Sequence, residues 1–153
     1  MNEKWQERTR LLAGEKTLER YANAHVLVVG LGGVGAYAAE QLCRAGIGEM
    51  TIVDADNVDI TNINRQLLAT TESIGTSKVS VMAQRLRSIN PDIRLHEVHE
   101  FLRDEGTIRL LESTKFDYVV DAIDTLSPKV FLIYFTMKMN IPLVSAMGAG
   151  GKW

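Results

Sequence analysis

The chain has 153 residues, of which 46% are hydrophobic and 24% are charged, and its formal net charge is −2. These values are typical of one soluble globular domain with a substantial hydrophobic core. The slightly negative charge excludes a strong overall attraction to nucleic acid, so any such contact would need a local basic patch. The single cysteine excludes an internal disulfide and a zinc site built from several cysteines, which favours a reducing, cytoplasmic setting.

Residues 1–24 are expected to form an N-terminal arm. Residues 2–10 are polar around Trp5, so we predict little regular structure there, and their charge argues against a signal peptide. A short helix is predicted over residues 15–22, because Leu18 and Tyr21 are three positions apart. No apolar run approaches the roughly 20 residues of a membrane-spanning helix, so we expect no membrane partner.

The stretch over residues 25–35 determines much of the prediction. Residues 26–29 are apolar and include three valines, a pattern typical of a strand buried on both faces of a parallel sheet. Apolar spacing from residue 34 to 45 predicts a helix. Between strand and helix lies a glycine-rich turn made of Gly30, Gly32, Gly33 and Gly35. Without Cβ atoms the backbone can approach a phosphate at the positive end of the helix, which predicts a nucleotide site. The alternative is that the glycines serve only helix–strand packing.

Strands and helices alternate along the rest of the chain. We predict strands over residues 50–53, 93–98, 117–122 and 142–146, and helices over residues 77–89, 104–112 and 128–139. This alternation predicts a Rossmann-like, doubly wound and mainly parallel α/β sheet. Residues 148–153 have the composition of a glycine-rich loop that follows the last strand. Such a loop normally leads to another element, so we expect the chain to be a piece of a longer protein.

The polar residues after the second strand bear on which nucleotide binds. Asp54 lies 24 residues after Gly30 (54 − 30), near the ~20 typical of a carboxylate that hydrogen-bonds a ribose. Up to this point NAD and ATP fit equally well. The following polar and basic side chains are Asn62, Arg65, Gln66 and Lys78. A triphosphate carries about four negative charges and needs cationic side chains or a metal, whereas a pyrophosphate needs only backbone amides and a helix dipole. This set therefore favours ATP.

Two aspartates flank the end of the predicted strand at residues 117–122. Ligands of open α/β sheets bind beyond the carboxyl ends of the strands, where one or two carboxylates can hold magnesium. We assign Asp124 as the magnesium ligand, because Asp121 could instead hold a neighbouring loop. The alternative for Asp124 is capping of the helix that begins near Ser127.

Together these motifs resemble those of the E1-like adenylating superfamily, which includes ubiquitin-activating enzymes and bacterial enzymes that adenylate sulfur-carrier proteins. The resemblance covers residues 8–151 and is carried by residues 30–35, 54–56, 62–66, 78 and 121–124. Within the superfamily the chain is most similar to the tRNA threonylcarbamoyladenosine dehydratases. The stretches that carry this similarity are residues 8–9, 14–16, 45–49, 89–91, 121–124, 128–129 and 148–151. The resemblance implies that residues 25–153 form an ATP-binding adenylation domain whose C-terminal part is missing.

The resemblance also implies a reaction. A carboxylate attacks the α-phosphate of ATP to give an acyl-adenylate and pyrophosphate. In the dehydratases this carboxylate belongs to the threonyl group of a modified adenosine in tRNA, which then cyclises with net loss of water. The implied partners are therefore tRNA and, because an arginine reaches the ATP of the other subunit, a second copy in a homodimer.

The superfamily roles are carried over residue by residue. The expected nucleotide-binding residues are Gly30, Gly32, Gly33, Gly35, Asp54, Asp56, Asn62, Arg65, Gln66 and Lys78. The expected catalytic residues are Arg65, Lys78, the magnesium ligand Asp124, and Arg8, which takes the place of the arginine that acts across the dimer. A cation aimed at the departing pyrophosphate would stabilise the transition state.

Other functions remain open at this stage. The chain could adenylate the C-terminus of a ubiquitin-like or sulfur-carrier protein, with a sulfur-transfer protein as a further partner. Cys43 lies in an apolar helix and is interpreted as a core thiol, and no CxxC pair is present, which favours the dehydratase. An NAD-dependent oxidoreductase is the third candidate. The three histidines, His25, His96 and His99, are interpreted as strand-end or surface residues that are not clustered with acidic side chains.

Overall fold

The fold is built on one five-stranded parallel sheet. The structure is a computed structural model and describes residues 3–148. Its strands are His25–Val29 (β1), Glu49–Val53 (β2), Arg94–Val98 (β3), Tyr118–Asp121 (β4) and Leu143–Ser145 (β5). The strand order is β3-β2-β1-β4-β5, and every neighbouring pair is parallel. The predicted doubly wound parallel α/β fold is confirmed.

Helices cover both faces of this sheet. They are Glu7–Ala13 (α1), Glu15–Ala22 (α2), Gly35–Ala45 (α3), Lys78–Ile89 (α4), Glu105–Ser113 (α5) and Leu126–Lys138 (α6), with 3-10 helices at Glu3–Gln6 and Ile60–Asn62. Because side chains alternate along a strand, Val26 and Val28 of β1 pack towards α3 and α4, whereas Leu27 and Val29 pack towards α5 and α6. All five residues of β1 are buried, as the apolar run predicts. In residues 3–148 no helix combines the length and the apolar character needed to cross a bilayer.

Helix ends agree with the local sequence signals. Ser77 caps α4 by accepting a hydrogen bond from the Ser80 amide at 3.3 Å, and Gly46 ends α3 in the left-handed region at φ 105°. Helix α6 begins at Leu126, two residues before the predicted start at Pro128. Proline fits at this place because the first-turn N–H groups of a helix have no partner within the helix.

The N-terminal arm is more regular than predicted. We expected residues 2–10 to lack regular structure, but Glu3–Gln6 form a 3-10 helix and Glu7–Ala13 form α1. The prediction was wrong because it weighed only the polar character of the segment, whereas Glu, Arg, Leu and Ala are good helix formers. The predicted helix over residues 15–22 is confirmed as α2.

The prediction that the histidines are not clustered with acidic residues is wrong for two of them. His25, Glu49 and His96 offer ligand atoms that lie within 4.8 Å of one another. The three residues are far apart in sequence, and only the register of three neighbouring strands brings them together. His99 lies elsewhere and contacts the Ala55 carbonyl oxygen at 2.9 Å.

An ion pair joins the two helices on one face. Glu40 of α3 is 7% exposed and accepts hydrogen bonds from Arg85 of α4 and from Arg44. The Arg85 hydrogen bond holds the pKa of Glu40 below its ordinary value of 4.5. Because the pKa of Glu40 is lower in the folded than in the unfolded chain, the ion pair stabilises the fold fully above the unfolded-state pKa. This stabilisation is lost as the pH falls through the folded-state pKa.

We therefore predict that Glu40→Gln lowers the free energy of unfolding at pH 7 by about 1–3 kcal/mol, since it weakens a buried charged acceptor. The difference from the unsubstituted protein should shrink as the pH falls below 4.5. Urea unfolding at several pH values measures both effects. The control is Glu97→Gln, which breaks a half-exposed pair with Arg87 and should cost at most about 1 kcal/mol. Equal costs for the two variants would contradict the prediction.

Candidate nucleotide-binding site

The glycine turn between β1 and α3 contains two kinds of glycine. A Cβ on Gly30, whose φ is 93°, would lie 2.6 Å from the Ala122 carbonyl oxygen, and a Cβ on Gly35 would lie 1.6 Å from the Gly30 carbonyl oxygen. These two glycines are required because the end of β1, the start of α3 and the end of β4 pass too close for any side chain. Gly30 and Gly35 therefore serve helix–strand packing, which was the alternative to a phosphate-binding role for these glycines.

Gly32 and Gly33 are not required by packing. A Cβ on Gly33 would meet only the Arg65 carbonyl oxygen at 4.0 Å, and one on Gly32 would meet the Gln66 amide at 3.5 Å. Both contacts are ordinary, so these positions leave open space in front of the N-terminus of α3. Gln66 faces this space, and its Oε1 is buried with no hydrogen-bond partner among residues 3–148. A rotation of the amide would present its NH₂ group instead, so Gln66 can offer a ligand either a donor or an acceptor.

Asp54 ties the glycine turn to β2. Its Oδ2 accepts a hydrogen bond from the Leu31 amide at 2.7 Å, and its Oδ1 accepts one from the Asp56 amide at 2.8 Å. Asp56 is exposed, and its Oδ2 lies 3.8 Å from Nζ of Lys78. Lys78 is 5% exposed at the first position of α4, so a buried ammonium group lies beside the aspartates that follow β2.

The other predicted triphosphate ligands lie on the loop between β2 and α4. Asn62 is held within the loop, where its Oδ1 accepts a hydrogen bond from the Asp59 amide at 3.0 Å. Arg65 is exposed and donates to the Thr61 carbonyl oxygen at 3.0 Å and to Asn64 Oδ1 at 2.7 Å. The backbone of Arg65 passes Gly33, but its guanidinium group is bonded to its own loop.

A cavity of about 200 Å³ opens at the carboxyl ends of the strands. It brings together Gly30, Asp54, Asp56 and Asp124, all of them predicted site residues. The cavity lining does not include six other predicted residues, namely Gly32, Gly33, Asn62, Arg65, Gln66 and Lys78. Of these, Arg65 and Gln66 lie next to Gly33 and Gly32, respectively, and Lys78 lies next to Asp56. A larger groove of about 910 Å³ lies against α2, β4 and β5, and none of the predicted site residues lines it.

Asp124 and Asp121 differ in burial and in their hydrogen bonds. Asp124 is exposed and accepts one long hydrogen bond, at 3.4 Å, from Thr125 Oγ1. It does not cap α6, because the cap residue is Thr125 and no side-chain capping bond forms there. The capping alternative therefore does not apply, and the Asp124 carboxylate faces the cavity.

Asp121 is fully buried and holds three segments together. Its carboxylate accepts hydrogen bonds from the Ile123 amide at 3.1 Å and from Ser145 Oγ at 2.6 Å, and Nζ of Lys129 lies 2.7 Å away. Lys129 also donates to the Ile123 carbonyl oxygen at 2.9 Å and is 5% exposed. This buried ion pair fixes the backbone that carries Asp124, as we anticipated for Asp121.

Arg8 is not brought to this cavity within one chain. It is exposed on α1, two residues after Gln6. The Gln6 side chain lies so close to Gly46 that a Cβ there would be 2.3 Å from its Nε2. Gly46 follows the C-terminus of α3, and the glycine turn precedes its N-terminus, about 16 Å away at 1.5 Å per residue. The structure thus separates Arg8 from the other predicted site residues.

Several residues at the cavity were missed from the sequence. Glu100, Phe101 and Leu102 line it directly after β3. The rule that ligands bind beyond the carboxyl ends of parallel strands could have identified them, but it was applied only to β1, β2 and β4. The role of Lys129 was also missed, because nothing in a sequence distinguishes a buried lysine partner of Asp121 from a surface lysine.

The family model of the ThiF family matches residues 6–152. The chain belongs to the ThiF family. The resemblance of its motifs to the E1-like adenylating superfamily is therefore confirmed.

Two relatives and one solved structure illustrate this ThiF-family membership. The tRNA threonylcarbamoyladenosine dehydratase of Escherichia coli K12 is 44% identical, over 99% of this chain and 58% of that protein. The sulfur carrier protein ThiS adenylyltransferase of the same organism is 35% identical, over 88% of this chain and 53% of that protein. A crystal structure of the E. coli dehydratase in complex with ATP has a TM-score of 0.94 and 44% identity, and the match covers 99% of this chain and 62% of that chain. The chain thus spans a little over half the length of these relatives.

The buried Asp121–Lys129 pair gives a prediction about stability. Lys129→Met should lower the free energy of unfolding by about 3–5 kcal/mol, because it leaves a buried carboxylate without its cation. Lys138→Met is the matched control, since Lys138 is exposed in the last turn of the same helix and should cost no more than about 1 kcal/mol. Adding Asp121→Asn to Lys129→Met should recover part of the loss, as expected for coupled neighbours. Denaturant unfolding measures all three variants, and equal costs for the two lysine variants would contradict the prediction.

Proposed function

We propose that this chain is the ATP-binding, adenylating part of a tRNA threonylcarbamoyladenosine dehydratase. The observation that carries the proposal is the open glycine cradle at Gly32 and Gly33, together with the neighbouring cavity lined by Asp54, Asp56 and Asp124. The buried ammonium group of Lys78 lies 3.8 Å from Asp56, which lines this cavity. The 44% identity to a dehydratase over nearly the whole chain supports the choice of substrate.

The proposed reaction begins at the phosphates of ATP. A carboxylate oxygen of the substrate bonds to the α-phosphorus, and pyrophosphate leaves. The carbamoyl (urea) group of the modified adenosine then attacks the activated carbonyl carbon of its own threonyl group and gives up one proton, and AMP leaves with one carboxyl oxygen. The cyclic product is therefore lighter by one water. In this scheme the amides of Gly32 and Gly33 and the ammonium group of Lys78 hold the triphosphate.

Acidic side chains hold the other end of the nucleotide in this proposal. Asp54 accepts two backbone hydrogen bonds, yet each carboxylate oxygen has a second lone pair for a ribose hydroxyl. Asp56 is exposed beside it and could accept a further hydroxyl. Arg65 would leave its bonds to Thr61 and Asn64 and turn its guanidinium group to the phosphate oxygens.

Asp124 fits a magnesium ion. Magnesium in nucleotide sites keeps several waters and uses one or two protein carboxylates together with phosphate oxygens, and Asp124 offers one exposed carboxylate at the cavity. The bound ion would neutralise charge on the leaving pyrophosphate. The role of the Asp124 carboxylate would be to fix the position of the magnesium ion.

We also propose a homodimer in which Arg8 reaches the ATP of the other subunit. Its exposed place on α1, near the end of α3 remote from the glycine turn, supports an action across subunits. A tRNA-modifying enzyme of this kind would work in the cytoplasm, and the single cysteine of these 153 residues suits that setting. Burial raises the pKa of Cys43 to about 11, which makes it unsuitable as a thioester nucleophile.

Adenylation of a sulfur-carrier protein is the second candidate. The 35% identity to the ThiS adenylyltransferase supports it, since the two reactions share the attack of a carboxylate on ATP. A sulfur-transfer protein would then be a further partner. The substrate, rather than the nucleotide, distinguishes the two functions.

The first prediction about function concerns the nucleotide. Gly33→Ala should fold normally but bind ATP–Mg²⁺ at least about tenfold more weakly, because its methyl group occupies the phosphate cradle. Gly106→Ala in α5 is the matched control, since its Cβ would contact only the end of the Arg109 side chain at 3.9 Å. Calorimetry measures both dissociation constants, with NADH as a second ligand that should not bind. Equal ATP affinities for the two variants, or tight binding of NADH, would contradict the ATP assignment.

The second prediction concerns the substrate. The full-length protein, supplied with ATP, Mg²⁺ and tRNA carrying threonylcarbamoyladenosine, should convert that nucleoside to a form lighter by one water, as detected by mass spectrometry. Asp124→Asn should fold and abolish this conversion, because its carboxylate makes little structural contact. If the tRNA is unchanged and a carrier protein ending in Gly-Gly is adenylated instead, the dehydratase assignment is wrong and the second candidate holds.

A further inference from the structure

The amino-terminal edge of the sheet, opposite the nucleotide site, gathers a second group of polar side chains. In the strand register His25 of β1 is paired with Glu49 of β2, and Thr51 of β2 is paired with His96 of β3. Paired residues of parallel strands, and residues two apart on one strand, point to the same face. All four side chains therefore share one face of the sheet.

Three of these residues offer metal-ligand atoms at close range. His96 Nε2 lies 2.8 Å from Glu49 Oε1, and His25 Nδ1 lies 3.7 Å from the same oxygen. One ligand atom from each residue lies within 4.8 Å of the other two. Ligand atoms around a tetrahedral zinc ion are spaced by about 3.4 Å, so roughly ångström-scale adjustments of Glu49 and His96 would complete the set. Both side chains are free to adjust, since they are 26% and 54% exposed.

His25 is held in place in the way that metal-ligating histidines are held. Its Nε2 is 2.7 Å from Thr51 Oγ1, its ring packs against Phe116 at 4.7 Å between centroids, and its backbone amide donates to Asp117 Oδ2 at 2.8 Å. The Thr51 hydroxyl can accept a hydrogen bond from Nε2 or donate one to it, and in the tautomer in which Nε2 donates, the lone pair of the other ring nitrogen is left for a ligand. In His25 that other nitrogen is Nδ1, which faces Glu49.

One neighbouring charge competes with a bound cation. Arg94 Nη2 lies 3.6 Å from Glu49 Oε2. Arg94 has a 56% exposed side chain, so it can turn to solvent when a cation occupies the site. The alternative is a network of ion pairs that uses Glu49 only as the partner of Arg94 and His96, and this alternative predicts no metal affinity.

We infer that His25, Glu49 and His96 form a binding site for a divalent transition metal ion of the zinc class. Two imidazoles and one carboxylate are a common ligand set for such ions, and the exposed side of His96 leaves room for water as a further ligand. The ion would cross-link β1, β2 and β3 at the edge remote from the nucleotide, so its expected effect is on stability.

The test uses untagged, EDTA-treated protein without nucleotide. Calorimetry with Zn²⁺ should show one ion bound per chain, Co²⁺ should give the visible absorption of a tetrahedral complex, and Zn²⁺ should raise the thermal midpoint. His96→Ala should remove all three effects. Thr51→Val should weaken Zn²⁺ binding by about 10–100-fold, as loss of an outer hydrogen bond to a ligating histidine does.

Two further variants separate the metal site from its alternatives. His99→Ala removes a histidine outside the cluster and should leave Zn²⁺ binding unchanged. Arg94→Gln removes the competing positive charge and should therefore strengthen Zn²⁺ binding. No binding of Zn²⁺ by the unsubstituted protein, binding that survives His96→Ala, or binding that is lost in His99→Ala would each overturn the inference. Because the test needs neither ATP nor tRNA, its outcome is independent of the proposed enzyme function.

Discussion

The architecture depends on a close approach of three backbone segments at the carboxyl edge of the sheet. The end of β1, the first turn of α3 and the end of β4 meet at Gly30, Gly35 and Ala122, with no space for a side chain on either glycine. This contact aims the N-terminus of α3 at the space above β1. Of the glycines in the turn, only Gly30 and Gly35 take part in this contact, whereas a Cβ on Gly32 or Gly33 would meet its neighbours at no less than 3.5 Å. The same packing thus builds the turn and leaves Gly32 and Gly33 open at the N-terminus of α3, where an anion can bind.

Carboxylates at this edge divide into structural and exposed groups. Asp54 and Asp121 each accept a hydrogen bond from the backbone amide two residues further along, Asp56 and Ile123. Asp54 also accepts one from the Leu31 amide of the glycine turn, and Asp121 also pairs with the buried Lys129. Asp56 and Asp124 lie two and three residues further along and are exposed. Each structural aspartate therefore fixes the backbone that presents an exposed one. This arrangement positions the backbone of the exposed carboxylates and leaves most of their lone pairs open to a ligand.

The fold was predictable because its signals are local. The buried valines of β1, the Ser77 cap of α4 and the glycine at the end of α3 each depend on a few adjacent residues, and these elements lie where expected. The parts of the site that follow strand ends were also predictable, since parallel strands bring their carboxyl ends together. Features that depend on strand register or on burial could not be predicted from the sequence. The His25–Glu49–His96 cluster arises from three strands, and the buried state of Lys129 and Lys78 arises from packing that a sequence does not display.

Charge at the cavity constrains what the site can hold. Asp54, Asp56, Glu100 and Asp124 all line it, the ammonium group of Lys78 lies 3.8 Å from Asp56, and the N-terminus of α3 follows the glycine turn. A ligand that fits this gradient must present hydroxyl groups or a metal ion to the acidic side and its anionic part to the turn. The Lys78–Asp56 distance of 3.8 Å exceeds that of a direct hydrogen bond, so the ammonium group would break no hydrogen bond to Asp56 on binding a phosphate. A nucleoside triphosphate with a magnesium ion at Asp124 meets these conditions. A dinucleotide would bring ribose hydroxyls but no such ion, and it would therefore leave the exposed Asp124 carboxylate without a counter-charge.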